Sequence, residues 1–161
     1  MIRNRVGLSL LVGLGVLWMG CGSDSSSDGG SSSCESGEVE CGTDCIPESD
    51  GSLAWVQANM FDVNSCAASS CHDGNSLDQR QDLDLTSEAA SYASLVDVES
   101  SQAAPRVLVV PSDSGSSYLV NKLTGVDMAS GTNLMPTGAM EPLCDAKIDG
   151  VRAWIDAGAN P

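Results

Sequence analysis

The spacing of apolar positions divides the chain into short segments of different character. Residues 6–17 form an apolar stretch interrupted by glycines, too short for a comfortable membrane span of ~20 residues. Residues 22–33, GSDSSSDGGSSS, contain no apolar side chain. Leu53, Val56, Met60, Phe61 and Val63 then recur at roughly helical spacing. They predict a helix over 53–63, capped by Ser52 and running straight into Cys66. Residues 77–85 alternate polar and apolar positions too briefly to establish a strand. A second helix is expected over 88–97, opened by Thr86 or Ser87, with Ala89, Tyr92, Ala93 and Val96 on one face. Pro105 and Pro111 bracket Val107-Leu108-Val109-Val110, which reads as a short buried extended segment. Ser116 or Ser117 opens a third helix through Tyr118, Leu119, Val120 and Leu123, stopped by Gly125. Residues 126–143 read as loop. Ile148, Val151, Trp154 and Ile155 stripe a last helix over 145–157, which Gly158 closes. Asp145 lies near the positive end of its dipole.

The amino-terminal segments carry an address. Arg3 and Arg5 precede the apolar stretch, so residues 1–20 read as an export signal. The stretch ends in Leu17-Trp18-Met19-Gly20-Cys21, which resembles a bacterial lipobox with Trp18 in place of the usual leucine. That resemblance implies Cys21 as a lipidated new amino terminus, anchored by buried acyl chains. Residues 21–33 are then a tether, too polar to offset chain entropy by burial and so expected to be disordered.

Charge narrows the partners. Two of the seven basic residues leave with the signal, so the mature chain keeps five against 22 acidic ones, a formal charge of −17. Such a chain is not a nucleic-acid binder and does not seek an anionic membrane surface, although a basic protein partner suits it. Six aromatic residues are few, and apolar content is modest. A large buried cofactor would supply core that the side chains lack.

Cysteine chemistry is the richest signal. Cys34, Cys41 and Cys45 lie within twelve positions, with no histidine near and no zinc-like spacing, so a disulfide-stapled segment over 34–52 is expected. Further on, Cys66-Ala67-Ala68-Ser69-Ser70-Cys71-His72 places two thiols before the single histidine of the chain. Cys-x-x-Cys-His attaches c-type haem; here four residues separate the cysteines. The competing reading is a local Cys66–Cys71 bridge beside a surface histidine. With haem on Cys66 and Cys71, the remaining Cys34, Cys41, Cys45 and Cys144 allow two disulfides in three connectivities; without haem, six cysteines allow fifteen. Met128, Met135 and Met140 fall in the loop 126–143. In the absence of a second histidine, Met135, stiffened by Pro136, is a candidate axial donor, against gap-filling as the ordinary role of methionine. Tyr92 and Tyr118 are candidates to bond a haem propionate, or simply core residues. No general base, nucleophile pair or open metal site is visible, which points to a carrier rather than a stand-alone catalyst.

The order of these pieces is similar to a bacterial cytochrome c-like module of the kind found in planctomycetes. The matching residues are Cys66, Cys71, His72 and Gly74; Leu83-Asp84-Leu85; Val110-Pro111; Ser117-Tyr118-Leu119; Lys122-Leu123-Thr124-Gly125; Met135-Pro136; Pro142-Leu143; and Ile148 with Arg152-Ala153-Trp154-Ile155-Asp156-Ala157-Gly158-Ala159. The resemblance covers residues 53–161. It implies an all-α fold, a cytochrome c-like helical domain preceded by tether and Cys-rich collar. It further implies one covalent haem c on Cys66 and Cys71, with His72 as proximal and Met135 as distal iron ligand. Cys144 stands where that family has a capping Ser or Thr, and Lys147 where it has an acid, so the capping box is lost. Cys144 therefore looks like a disulfide partner for Cys34, Cys41 or Cys45. The implied function is a lipid-tethered mono-haem electron carrier outside the cytoplasm, meeting a redox protein partner. The alternative is a haem-free, disulfide-stapled lipoprotein module for surface binding or assembly.

Overall fold

Six elements follow one another along the chain: β1 (Glu38–Cys41), β2 (Asp44–Pro47), α1 (Leu53–Asn59), α2 (Glu88–Leu95), α3 (Tyr118–Thr124) and α4 (Asp145–Asp156). This computed structural model describes residues 34–62, 65–75 and 83–161. The export signal, Cys21, the tether, Val63 and residues 76–82 lie outside the described residues.

An all-α fold is not what forms. The Cys-rich segment is a two-stranded antiparallel sheet, so the molecule is a small mixed fold of four helices and a hairpin. Local chemistry explains why. In β1, Val39 and Cys41 turn partly inward while Glu38 and Glu40 face solvent, the period-two alternation of a half-buried strand. Gly42, at φ 69°, opens the two-residue loop to β2. The register pairs Glu38 with Pro47, Val39 with Ile46, Glu40 with Cys45 and Cys41 with Asp44. A hairpin alone is marginal. This one is closed by a Cys34–Cys45 disulfide and fastened to α4 by a Cys41–Cys144 disulfide. Trp55 Nε1 also donates to Pro47 O at 3.0 Å. Cys144 is the N-cap residue of α4 and makes no side-chain cap bond; its sulfur is committed to the bridge.

The helices start where their caps lie. The Ser52 hydroxyl accepts from Trp55 N at 3.0 Å and the Ser87 hydroxyl from Ala90 N at 3.3 Å. Ser117 precedes α3 without capping it; its hydroxyl instead accepts from Val110 N and donates to Asp113 O. Gly125, at φ 75°, ends α3. The first helix is shorter than its apolar spacing predicts. It stops at Asn59, and the Ser65 hydroxyl takes the Met60 carbonyl at 2.7 Å. Residues 65–67, which lead into the cysteine loop, are in turns rather than in a helix.

The core forms where α1 packs on α2 and α4, and α3 on α4. Leu53, Val56, Phe61, Leu95, Val109, Tyr118, Val151, Trp154 and Ile155 are buried there. The segment 107–110 is extended as expected, bridging Glu99 through Val107, Val96 through Val109 and Asp113 through Val110. A buried polar strut joins three parts of this core. Gln57 Nε2 donates to Leu85 O at 2.7 Å, and Gln57 Oε1 accepts from the fully buried Ser91 hydroxyl at 2.8 Å.

Candidate functional site

The 65–72 loop is shaped by its own backbone. Ala67 N bonds Asp62 O, Cys71 N bonds Ala68 O, and His72 N closes the ring on Cys66 O at 3.1 Å. The last bond folds Cys66, Cys71 and His72 into one compact turn. Beyond it, Leu85 N donates to His72 O at 2.9 Å and Gly74 N to Leu83 O, so residues 73 and 84 form a bridge. Gly74 is at φ 72°, and a Cβ there would meet the Asp84 carboxyl at 2.9 Å, which explains glycine at this turn.

Cys66, Cys71, His72 and Met135 all line a single cavity of about 550 Å³. That volume lies within the ~300–1,000 Å³ of small-molecule and cofactor sites. Much of its wall is apolar, with Phe61, Leu85, Leu95, Leu108, Leu119 and Leu123 contributing. Cys66 and Cys71 are free thiols, whereas Cys34, Cys41, Cys45 and Cys144 are consumed in two disulfides. Burial pushes the Cys66 thiol above its ordinary pKa, opposed by the Ser65 hydrogen bond and reinforced by Cys71.

Met135 comes from a loop without regular structure, yet its position is over-determined. Met135 N donates to Lys122 O at 2.8 Å, and Lys122 Nζ donates to Asn133 O. Tyr118 OH accepts from Ala129 N at 3.2 Å and contacts Thr132 Oγ1 at 3.1 Å. Arg106 pairs with Asp127 at 3.0 Å while its guanidinium lies 5.5 Å from the Tyr118 ring centroid. Three residues thus clamp the loop against α3. Thr137 Oγ1 donates to the Met135 sulfur at 3.3 Å. Met140 is fully exposed, and Met128 is not part of the cavity wall. Of the two tyrosines, Tyr118 lines the cavity with its hydroxyl engaged as above, and Tyr92 does not line it.

The wall also holds polar groups to which the residue pattern assigned no role. Lys122 is only 7% exposed, the one buried charged side chain among the described residues. Desolvation lowers its pKa. Ser100 is fully buried, and its hydroxyl has no hydrogen-bond partner. Lys122 was detectable in principle: it follows Tyr118 by four positions and so shares its inward helix face. Ser100 lay in a polar loop and gave no signal. Elsewhere, Cys34, Glu38 and Cys45 converge closely enough to ligate a metal, but the two sulfurs are bonded to each other and leave no thiolate to do so.

Disulfides of this kind persist in oxidising, extracytoplasmic surroundings. No helix among the described residues is long and apolar enough to cross a membrane. No family model, curated protein or solved structure matches the chain.

Proposed function

We propose that this chain is a mono-haem c-type cytochrome, carrying single electrons outside the cytoplasm from a lipid tether on Cys21. The observation that carries the reading is the convergence of Cys66, Cys71, His72 and Met135 on one largely apolar cavity, with every other described cysteine already bridged. The donor set suits the group. Cys66 and Cys71 would hold the macrocycle through thioethers to its vinyl carbons, His72 and Met135 would supply its iron ligands, and the cavity has the volume of a cofactor site. Haem c, when bound, supplies a one-electron iron couple whose potential a His/Met ligand pair sets above that of a bis-histidine pair.

The protein's own residues supply attachment, orientation and shielding. The closed 66–72 turn holds both thiols and the imidazole on one short segment. The clamp from Lys122, Tyr118 and Arg106 holds the Met135 loop from the other segment. The leucines of the wall give the site a largely apolar lining. The acidic mature chain suits a basic redox partner that docks transiently through charge.

A haem-free, disulfide-stapled lipoprotein module is the competing reading. It is favoured by the two bridges already present, to which Cys66–Cys71 would add a third. Intact mass of the full chain, exported from cells that carry haem-attachment machinery, separates the two. The expected result is one covalent haem with a Soret band and free of a Cys66–Cys71 bridge. A chain carrying three disulfides and no haem increment sinks the electron-carrier reading.

A further inference from the structure

Lys122 is an unusual cation for this protein. In a strongly acidic chain it is buried without a carboxylate partner among the described residues, and it donates only to neutral oxygens, Gln102 Oε1 at 3.4 Å and Asn133 O. An ammonium carries three N–H donors, so one remains to be used. Ser100 lines the same cavity with a fully buried hydroxyl that has no partner. A buried unpaired charge and an unsatisfied hydroxyl are each costly. On the wall of the same cofactor-sized cavity, they describe an anion receptor whose anion arrives with the occupant.

We propose that the Lys122–Ser100 part of the cavity wall is a carboxylate subsite, which takes a propionate of the haem. The inference rests on the haem reading above and adds the orientation of the macrocycle to it. The carboxylate accepts the third Lys122 N–H and the Ser100 O–H, and so neutralises the buried cation. Because the Lys122 ammonium also donates to Asn133 O, and the Lys122 main-chain carbonyl accepts from Met135 N, carboxylate capture and placement of Met135 meet at one residue.

A cycle that crosses protein variant with ligand charge isolates the carboxylate contact from the clamp. Full-length chain carrying Cys66→Ser and Cys71→Ser, in which binding is reversible, is titrated with iron protoporphyrin IX and with its dimethyl ester, read by Soret absorbance. The acid is expected to bind about tenfold or more tightly than the ester. Lys122→Gln should abolish that preference, and Ser100→Ala should reduce it while leaving the loop clamp intact. An ester that binds as well as the acid overturns the subsite, as does a Lys122→Gln loss that is equal for both ligands, or binding of neither porphyrin. Intact mass of the wild-type matured chain reports separately on covalent haem. Haem present with no acid preference therefore refutes the subsite alone.

Discussion

Gly150 sits in the middle of α4, where glycine costs about 1 kcal/mol relative to alanine. The reason for it is Trp55. A Cβ at position 150 would lie 2.1 Å from Trp55 Cζ3, 2.6 Å from Cη2 and 2.9 Å from Cε3, where ordinary contact begins at 3.4 Å. Gly150→Ala therefore requires the indole to retreat by more than an ångström. Trp55 is 7% exposed and its Nε1 donates to Pro47 O at 3.0 Å, so retreat disturbs both the α1–α4 seam and the tie to the hairpin. Overpacking costs about 1–3 kcal/mol and the lost hydrogen bond about 1 kcal/mol, against the helix-propensity gain of about 1 kcal/mol. The net expectation is a destabilisation of about 2 kcal/mol, or a melting point lower by roughly 8 °C for a domain of this size. Urea unfolding of the mature chain, followed by tryptophan fluorescence and far-UV circular dichroism, measures it. Trp55→Phe should reduce the cost of Gly150→Ala, giving a favourable coupling in the double-mutant cycle. An alanine variant more stable than wild type, as for an exposed helical glycine, would falsify the packing argument.

Removing the Cys41–Cys144 bridge by a double Cys→Ser change releases a loop spanning 103 positions; the chain-entropy model sets the loss near 4.7 kcal/mol. A denaturant titration showing almost no loss would mean the bridge does not restrict the unfolded chain. Ser91→Ala strands Gln57 Oε1 in the core and should cost about 1–2 kcal/mol by the same titration; a neutral result would show that the strut is not needed. Acid should also weaken the fold. Hydrogen bonds from Ser52, Thr86 and Ser116 lower the pKa values of Asp50, Asp84 and Asp113 below the usual carboxylate value. Their contribution is thus present above about pH 4 and lost as pH falls through the lowered folded-state values. Urea midpoints measured from pH 6 down to pH 2 should decline, and Asp84→Asn should flatten the decline; an unchanged slope removes Asp84 from the account.

Much of the framework was legible in residue order because the determinants were local. Ser52 and Ser87 as caps, Gly125 as a stop and the Ile148, Val151, Trp154, Ile155 stripe need only near neighbours to act. The disulfide role of Cys144 was legible too, through a missing cap. Its partner was not, since three cysteines were equally available and only folding brings Cys41 beside α4. The hairpin was missed even though Val39 and Cys41 alternate with glutamates; four-residue strands carry too little pattern to stand out beside a cysteine cluster. The first helix ended early because Ser65, beyond its last turn, captures the Met60 carbonyl.

Motif spacing by itself determined which residues could do chemistry: two thiols and the single histidine in one run, and a methionine before a proline far downstream. Whether those side chains meet was a tertiary matter. Residues 72 and 135 share a cavity only because α3 clamps an irregular loop through Lys122 and Tyr118, and such long-range bonds leave no periodic trace in the chain. The charge of that cavity was hidden for the same reason. Lysine is ordinarily a surface residue, and only packing shows that Lys122 is buried without a carboxylate partner, in a cavity wall that also holds the unpartnered Ser100 hydroxyl.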